Sequence, residues 1–439
     1  MTAAAIPADN AGPVANSRSL VEQSLRRRYA AEARFKAYGI AAIVIGLSFL
    51  VIVFASIIQR GYTSFVQSEF RLDVTLDKDV IDPSGKGEES DLLIADYPLL
   101  IQDALIKALK LDPKSRVDSR LAGELLSSNA DTTVRNYVLA NRGEIGKTVP
   151  FWVLAHGNVD SVVKGAFDRS VPEARRKLND KQLGWIDQAV ASGALAKRFN
   201  TGLFTFGASS QPESAGIGVA LIGSLFMMLT VMLLAVPIGV AAALYLEEFA
   251  PRNRITDIIE VNINNMAAVP SIVFGILGLA VFINFMGLPR SASIVGGLVL
   301  ALMTLPTIII ATRAAIAAVP PSIREAALGV GASKMQSITH HVLPLAVPGI
   351  LTGTIIGLAK ALGETAPLLM IGMVAFVVEY PTTPLEPATA LPVQIYMWAT
   401  AAERGFVERT SGATLILLAF LACMNILAVI LRRRFERRW

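Results

Sequence analysis

The chain has 439 residues, 53% of them hydrophobic and 17% charged, against about 25% charged in an ordinary soluble domain. With a mean hydropathy of +0.53, this composition excludes a soluble globular protein and places much of the chain in a membrane. The net charge of +5 comes from arginines beside apolar runs rather than one basic patch interleaved with aromatics, so no nucleic-acid partner is expected.

The first apolar run, Tyr38–Ile58, follows a long polar tail and lacks a small-residue cleavage site at its far end. It therefore reads as a span and not as a cleaved signal. At roughly 31 Å as a helix it crosses the hydrocarbon core. Further spans are predicted at Gly216–Leu246, Met266–Met286, Ser293–Ala318, Val347–Val378 and Ala413–Leu431. The fifth span is too long for one simple crossing, and Pro367 is expected to kink or end a helix within it. Asn262, Asn264 and Asn265 are expected at the membrane interface where the third span opens. Pro237, Pro270 and Pro306 read as helix kinks, Arg290 as a solvated loop charge, and Glu247-Glu248 as surface charges at a helix end.

Six spans put both termini on one side. Arg26-Arg27-Arg28, Arg34 and Lys36 precede the first span, and Arg432-Arg433-Arg434, Arg437 and Arg438 follow the sixth. Loops on the same side carry Arg252, Arg254, Arg313, Arg324 and Lys334. The positive-inside rule then makes both tails, 1–37 and 433–439, cytoplasmic. The expected order is a first span at 38–60, a periplasmic domain at 61–213 and a membrane domain at 214–432. The one cysteine, Cys423, lies in the sixth span and reads as a small buried apolar residue, so no disulfide is expected outside the membrane.

Residues 61–213 are one domain's worth of chain. Phe70–Leu76 alternates with period 2 and predicts a strand. Leu99–Leu111, Arg120–Ser127 and Glu173–Phe199 predict helices, and Val149–Leu154 and Gly202–Phe206 predict further strands. The reading is a small α+β domain. Gly146-Lys147-Thr148 looks like the end of a phosphate-binding loop, but the first glycine that motif needs falls on Asn141. His156 is the domain's only histidine and has no Cys, His or Asp cluster around it, so no metal site is expected. Since His340 and His341 lie elsewhere, no Ser-His-Asp or Cys-His arrangement is legible.

The polar loop Ser322–Pro344 is the best-specified element. Ser322 and Glu325 have the spacing of a capping box, and Ser333 with Gln336 repeats it. Gly329 and Gly331 offer positive φ for a sharp turn between two short helices. Leu343-Pro344 is expected to stop the second helix. Such a loop on the water side of a membrane is expected to dock another protein.

Its spacing resembles the EAA motif of ABC-importer permeases: Glu325-Ala326-Ala327, then Gly331, then Leu343-Pro344, with His341 where that family usually has isoleucine. In that family the loop is the coupling helix that docks on a cytoplasmic ATPase. From Gly216 to Leu431 the chain is also similar to Pst-type phosphate permeases. The matching strings are Ala235–Val240, Leu244–Ala250, Val269–Leu279, Leu305–Ile310 and, most specifically, Gly363-Glu364-Thr365-Ala366-Pro367-Leu368-Leu369. The resemblance implies an ABC type I importer permease fold with six transmembrane helices, in a mostly α-helical polytopic protein of the bacterial inner membrane. It implies a homologous second permease subunit (PstC-like), an ABC ATPase dimer (PstB-like) and a periplasmic phosphate-binding protein (PstS-like). The inserted domain resembles one found between the first two spans of some phosphate-permease relatives. No ATPase motif is present, so this chain is not expected to be an enzyme or to bind a cofactor; ATP would be on the partner ATPase.

Lys360 lies four residues before Glu364, on one helix face if the helix continues. Ionisable residues at membrane depth face a partner helix or a water-filled path. A Lys360–Glu364 pair that neutralises itself when empty could share Lys360 with a passing phosphate and avoid holding it too tightly. Thr365 would line the same path. The alternative is a pair that only locks helices together. The family often has arginine at position 360, and lysine lacks its bidentate fork. Rival functions are a permease for another oxyanion such as sulfate or molybdate, a membrane sensor or scaffold, and a secondary transporter, for which no inverted repeat is evident.

Overall fold

In hydrocarbon every backbone N–H and C=O must find its partner inside the chain, so apolar runs become helices. The computed structural model describes residues Ser17–Phe435; residues 1–16, and Arg437 and Arg438 beyond the last helix, lie outside it. Helices long and apolar enough to cross a membrane are Arg27–Phe65, Gly218–Phe249, Ser293–Ala317, Lys334–Gly363 and Gly405–Leu427. A bent pair, Arg254–Ala268 and Ser271–Phe285, meets at 99° and supplies the remaining crossing. In chain order these are spans one to six, the bent pair being span three. The chain divides into two compact units at Ile57/Ile58, and everything below concerns the second.

Three boundaries differ from the expected ones. Span three does not begin at Met266. Val269 is extended ahead of Pro270, which has no N–H to continue a helix, so the crossing part begins at Ser271. Asn262, Asn264 and Asn265 sit on the preceding helix and are exposed. Span five does not run to Val378. Its helix, with Leu343–Gly363 as the α-helical part, stops where Glu364 turns extended (ψ 126°), and Pro367 lies in the first turn of a separate short helix, Ala366–Met370. Span six begins at Gly405, ahead of Ala413. Cys423 on span six is exposed rather than buried.

The domain inserted between spans one and two has a three-stranded antiparallel sheet in the order β2-β1-β3. The strands are β1 (Val66–Thr75), β2 (Thr148–Leu154) and β3 (Leu195–Phe199). Phe70, Leu72 and Val74 of β1 are fully buried, as their period of two requires. Phe70 pairs with Val153 on one side and Leu195 on the other. Helices Tyr97–Ala108, Asp131–Ala140 and Asp180–Ala191 contribute to the same core. Asp96 and Asn179 cap the first and last of these.

Elsewhere the insert departs from its predicted elements. Only Asp180–Ala191 of the expected helix 173–199 is a regular α-helix; Gly193 (φ +74°) turns the chain, and Leu195–Phe199 pairs with β1 as a strand. The helix expected at Arg120–Ser127 starts earlier, at Arg116, because Ser115 caps it. Gly202–Thr205 is a short helix and not a strand. His156 is a helix cap, its Nδ1 accepting from the Asn158 N–H at 3.1 Å. Gly146 (φ +92°) makes the turn into β2, and Lys147 pairs with Glu144 at 3.0 Å.

Spans four and five meet along small residues. A Cβ on Gly349 would stand 2.5 Å from that of Ala315, and one on Gly353 would overlap Ala311. Such notches let backbones approach where lipid gives no hydrophobic drive between helices. We expect Gly353→Leu to force the two spans apart and cost at least about 1–3 kcal/mol. The measurement is the thermal unfolding midpoint of the purified chain in detergent; an unchanged midpoint would show that the helices do not meet there.

Candidate functional site

The loop between spans four and five begins at two prolines. Pro320 is extended (ψ 137°) and Pro321 is the first residue of the helix Pro321–Gly329. A proline suits that position because its missing N–H would be unpaired there anyway. The helix thus starts one residue before Ser322, which is drawn inside it and makes no capping bond, contrary to the expected box.

Arg324, which lies inside the predicted box, makes the decisive contacts. Its Nε and Nη2 donate to Glu248 Oε1 at 2.9 and 2.8 Å. Its Nη1 donates to the Val319 carbonyl at 2.7 Å, and Nη2 also donates to the Ile316 carbonyl at 2.9 Å. These carbonyls belong to the end of span four, where a cation is favoured by the helix dipole. Glu248 lies in the π-helical end of span two, Tyr245–Phe249, and its side chain is only 9% exposed. One turn and more before, Arg313 on span four donates to Glu247 at 3.3 Å and to Glu260 at 2.8 Å. Glu260 sits on Arg254–Ala268, the first helix of span three. Glu247 and Glu248 are therefore ion-paired and half-buried or better, not free surface charges. Two arginines join the loop, span two, span three and span four at one end of the molecule.

The first loop helix ends in a Schellman turn. Gly331 has φ +89°, its N–H bonds to the Leu328 carbonyl at 3.0 Å, and the Ala332 N–H reaches back to Ala327 at 3.1 Å. Gly329 remains in the helix and does not use positive φ. The second capping box is present as expected: Gln336 N–H donates to Ser333 Oγ at 3.2 Å, and Ser333 N–H donates to Gln336 Oε1 at 2.9 Å. Lys334 lies over the Phe249 ring at 5.1 Å.

Leu343-Pro344 does not stop the second helix. Lys334–Ser337 passes through a π-helical turn, Ile338–Val342, directly into Leu343–Gly363. A proline clashes with the carbonyl four residues earlier in a regular helix, and here the wide turn falls immediately before Pro344. Ile338 and Val342 are buried, whereas His341, at the family's isoleucine position, is exposed. The apolar contact is made one residue later, by Val342. Of the loop residues, Ala327 is buried; Glu325, Ala326, Leu328, Val330 and Met335 are exposed, Val330 at 86%. The loop thus presents an apolar face with Glu325 beside it.

The second predicted cluster is not brought together as expected. Lys360 is exposed on the last turn of span five. Glu364 caps that helix in an extended conformation, which breaks the one-face alignment with Lys360. Neither makes an ion pair among the described residues. The Thr365 carbonyl accepts from the Leu368 and Leu369 N–H groups at 3.1 Å each. Pro367 seats against span three, where a Cβ on Gly275 would stand 2.6 Å from its Cα. Gly372 (φ +87°) ends the short helix. The string 363–369 is therefore a helix break. Backbone interrupted at membrane depth is tolerated where it is packed in protein or lines a wet cavity.

A family described as binding-protein-dependent transport system inner membrane component matches residues 235–439, and a domain of unknown function (DUF3333) matches residues 22–173. A probable ABC transporter permease protein of Bacillus subtilis, YqgI, is 35% identical over 37% of this chain and 54% of its own length. The chain thus spans about half of that relative. The phosphate transport system permease protein PstA 1 of Mycobacterium tuberculosis (strain CDC 1551 / Oshkosh) is 32% identical over 53% of this chain and 75% of its own length. PstA of Haemophilus influenzae is 32% identical over 51% and 78%. A chain of the MetNI methionine ABC transporter superposes on 51% of this chain and 95% of its own, at 17% identity and a TM-score of 0.40, too loosely to add to the sequence matches. Those matches to PstA proteins, with the inner-membrane-component match over residues 235–439, show that this chain belongs to the PstA family of ABC-transporter permeases.

Proposed function

We propose that this chain is the permease subunit of an ATP-driven importer of inorganic phosphate in the bacterial inner membrane. It would form the translocation path with a second, PstC-like permease. ATP hydrolysis would take place on a PstB-like ATPase dimer, and phosphate would arrive from a PstS-like binding protein. Both termini and the loop would face the ATPase, with the insert on the opposite, periplasmic side. The names of the PstA relatives support the cargo. The observation that carries the mechanism is the exposed apolar face of the loop, held by Arg324 to spans two and four.

Closure of an ATPase dimer under that face displaces Pro321–Gly329. Arg324 passes the displacement to span two through Glu248 and to span four through its terminal carbonyls. Lys334–Gly363 is continuous, so the second loop helix moves span five directly. At the far end of that helix lie Lys360 and the break at Glu364–Thr365. An exposed ammonium at membrane depth without an internal partner is costly unless it faces water or an anion. Lys360 therefore attracts phosphate into the path, and Glu364, now a separate charge near it, limits how long phosphate stays. Sulfate or molybdate would fit the same loop, and cargo is decided at the break.

Docking and coupling should separate by mutation. Val330→Arg changes the exposed face at a side chain that makes none of the Schellman turn's backbone hydrogen bonds, and we expect the copurifying ATPase to be lost. Arg324→Met keeps the face, so the ATPase should still copurify, but phosphate uptake per ATP hydrolysed should fall at least tenfold. Equal coupling ratios in Arg324→Met and the parent would remove Arg324 from the mechanism. Lys360→Gln should lower uptake of radiolabelled phosphate by an order of magnitude in a complex that still assembles. If the complex falls apart instead, Lys360 only holds helices together; if excess sulfate competes in the parent, the cargo assignment fails.

A further inference from the structure

A second set of buried charges lies at the opposite end of span six, far in sequence from the loop. Arg409, in the second turn of Gly405–Phe435, is 4% exposed. Its Nη2 donates to Gln67 Oε1 on β1 and to the Glu213 carbonyl at 3.3 Å, just before span two. The preceding residue, Glu408, accepts from Lys164 Nζ at 2.7 Å. Lys164, its side chain 3% exposed, also donates to Asp160 Oδ2 at 2.6 Å. Asp160 Oδ1 accepts the Ser68 N–H at 2.8 Å, which ties the pair back to β1. Glu213 is 2% exposed, and its Oε2 would stand 2.8 Å from a Cβ on Gly157. Both Glu213 carboxylate oxygens, Arg409 Nη1 and Gln67 Nε2 have no partner among the described residues.

Four ionisable groups from the insert, the lead into span two and span six (Asp160, Lys164, Glu213 and Arg409) are thus withdrawn from water at one seam, with the part-exposed Glu408 at its rim. The backbones are close there as well. A Cβ on Gly405 would stand 2.7 Å from Pro212 Cβ, and one on Gly412 would overlap Ser64 Oγ. Charges buried this way are a poor source of net stability, since their desolvation offsets their attraction. What they impose is geometry. An apolar seam can slide by an ångström at little cost, whereas a displaced seam of this kind strands Arg409, Lys164 or a carboxylate without a partner.

We propose that this seam locks the insert to span six, with Arg409 as the positioning residue, so that the two turn as one body during transport. The insert is then a handle on span six, and whatever engages its surface biases that helix. The proposal rests on the permease reading for the existence of a transport cycle, not for the seam itself.

The test uses the full chain in its assembled transporter, with the exposed Cys423 first replaced by serine. Spin labels at Val190→Cys on the insert and Phe420→Cys on span six report one distance by double electron–electron resonance. We expect a single narrow distribution with the same maximum in the ATP-free and vanadate-trapped states. A second pair, at Ile255→Cys on the first helix of span three, where the side chain is exposed, and Phe420→Cys, should shift between those states, which shows that the cycle is running. Arg409→Met should broaden the first distribution, and Glu408→Gln, which removes a charge but little volume, should broaden it less. A maximum that shifts between states with Arg409 present would overturn the lock. So would an Arg409→Met distribution as narrow as the parent's alongside a lowered unfolding midpoint, which marks a role in stability alone. Phosphate uptake by the same labelled complex separates the two readings: a narrow, state-independent distribution without uptake supports the lock and counts against the cargo.

Discussion

The guanidinium of Arg324 is the contact on which the loop end of the molecule depends. It donates to the Val319 and Ile316 carbonyls at the end of span four and pairs with the half-buried Glu248 of span two. A helix C-terminus carries partial negative charge and unpaired carbonyls, so a planar cation with several donors is suited to close it. Arg313 repeats the device one step deeper and adds the helix that leads into span three. Without these two side chains, Glu247, Glu248 and Glu260 would crowd like charges at one membrane surface. With them, the loop is tied to spans two, three and four, which already share an apolar core deeper in the molecule.

Much of this was legible in the sequence where the signal is local. The apolar runs marked spans two and four closely, and the Ser333–Gln336 box and the Gly331 turn are present as spaced. What escaped depended on which of two competing local signals wins. Ser322 has the right neighbour for a capping box, but Pro321 starts the helix earlier and leaves Ser322 inside it. Leu343-Pro344 has the form of a stop, but the π turn at Ile338–Val342 lets the helix continue. Glu364 lies four residues after Lys360, yet that spacing means one face only while the helix lasts, and Glu364 is where it ends.

Long-range contacts escaped for another reason. Glu247 and Glu248 read as surface charges because their partners lie far along the chain, on span four and on the loop. Span six is expected from Ala413, yet its helix begins at Gly405 and takes in Glu408 and Arg409. They are part of it because Lys164 and Gln67, more than two hundred residues away, neutralise or bond them. In the insert, period-2 alternation revealed β1, but β3 was hidden at the end of a helix pattern. Leu195-Ala-Lys-Arg-Phe199 becomes a strand only because β1 offers it a free edge.

The continuity of Lys334–Gly363 has a mechanical consequence. Its 30 residues make a rod of roughly 45 Å, with the wide turn about a fifth of the way along. A rod pivoting at that turn has unequal arms, and its far end travels about three to four times as far as its near end. A displacement of a few ångströms where the ATPase would press is thereby geared up at the break beside Glu364. In the proposed transport cycle, the place of one proline along the helix then sets the leverage on the break.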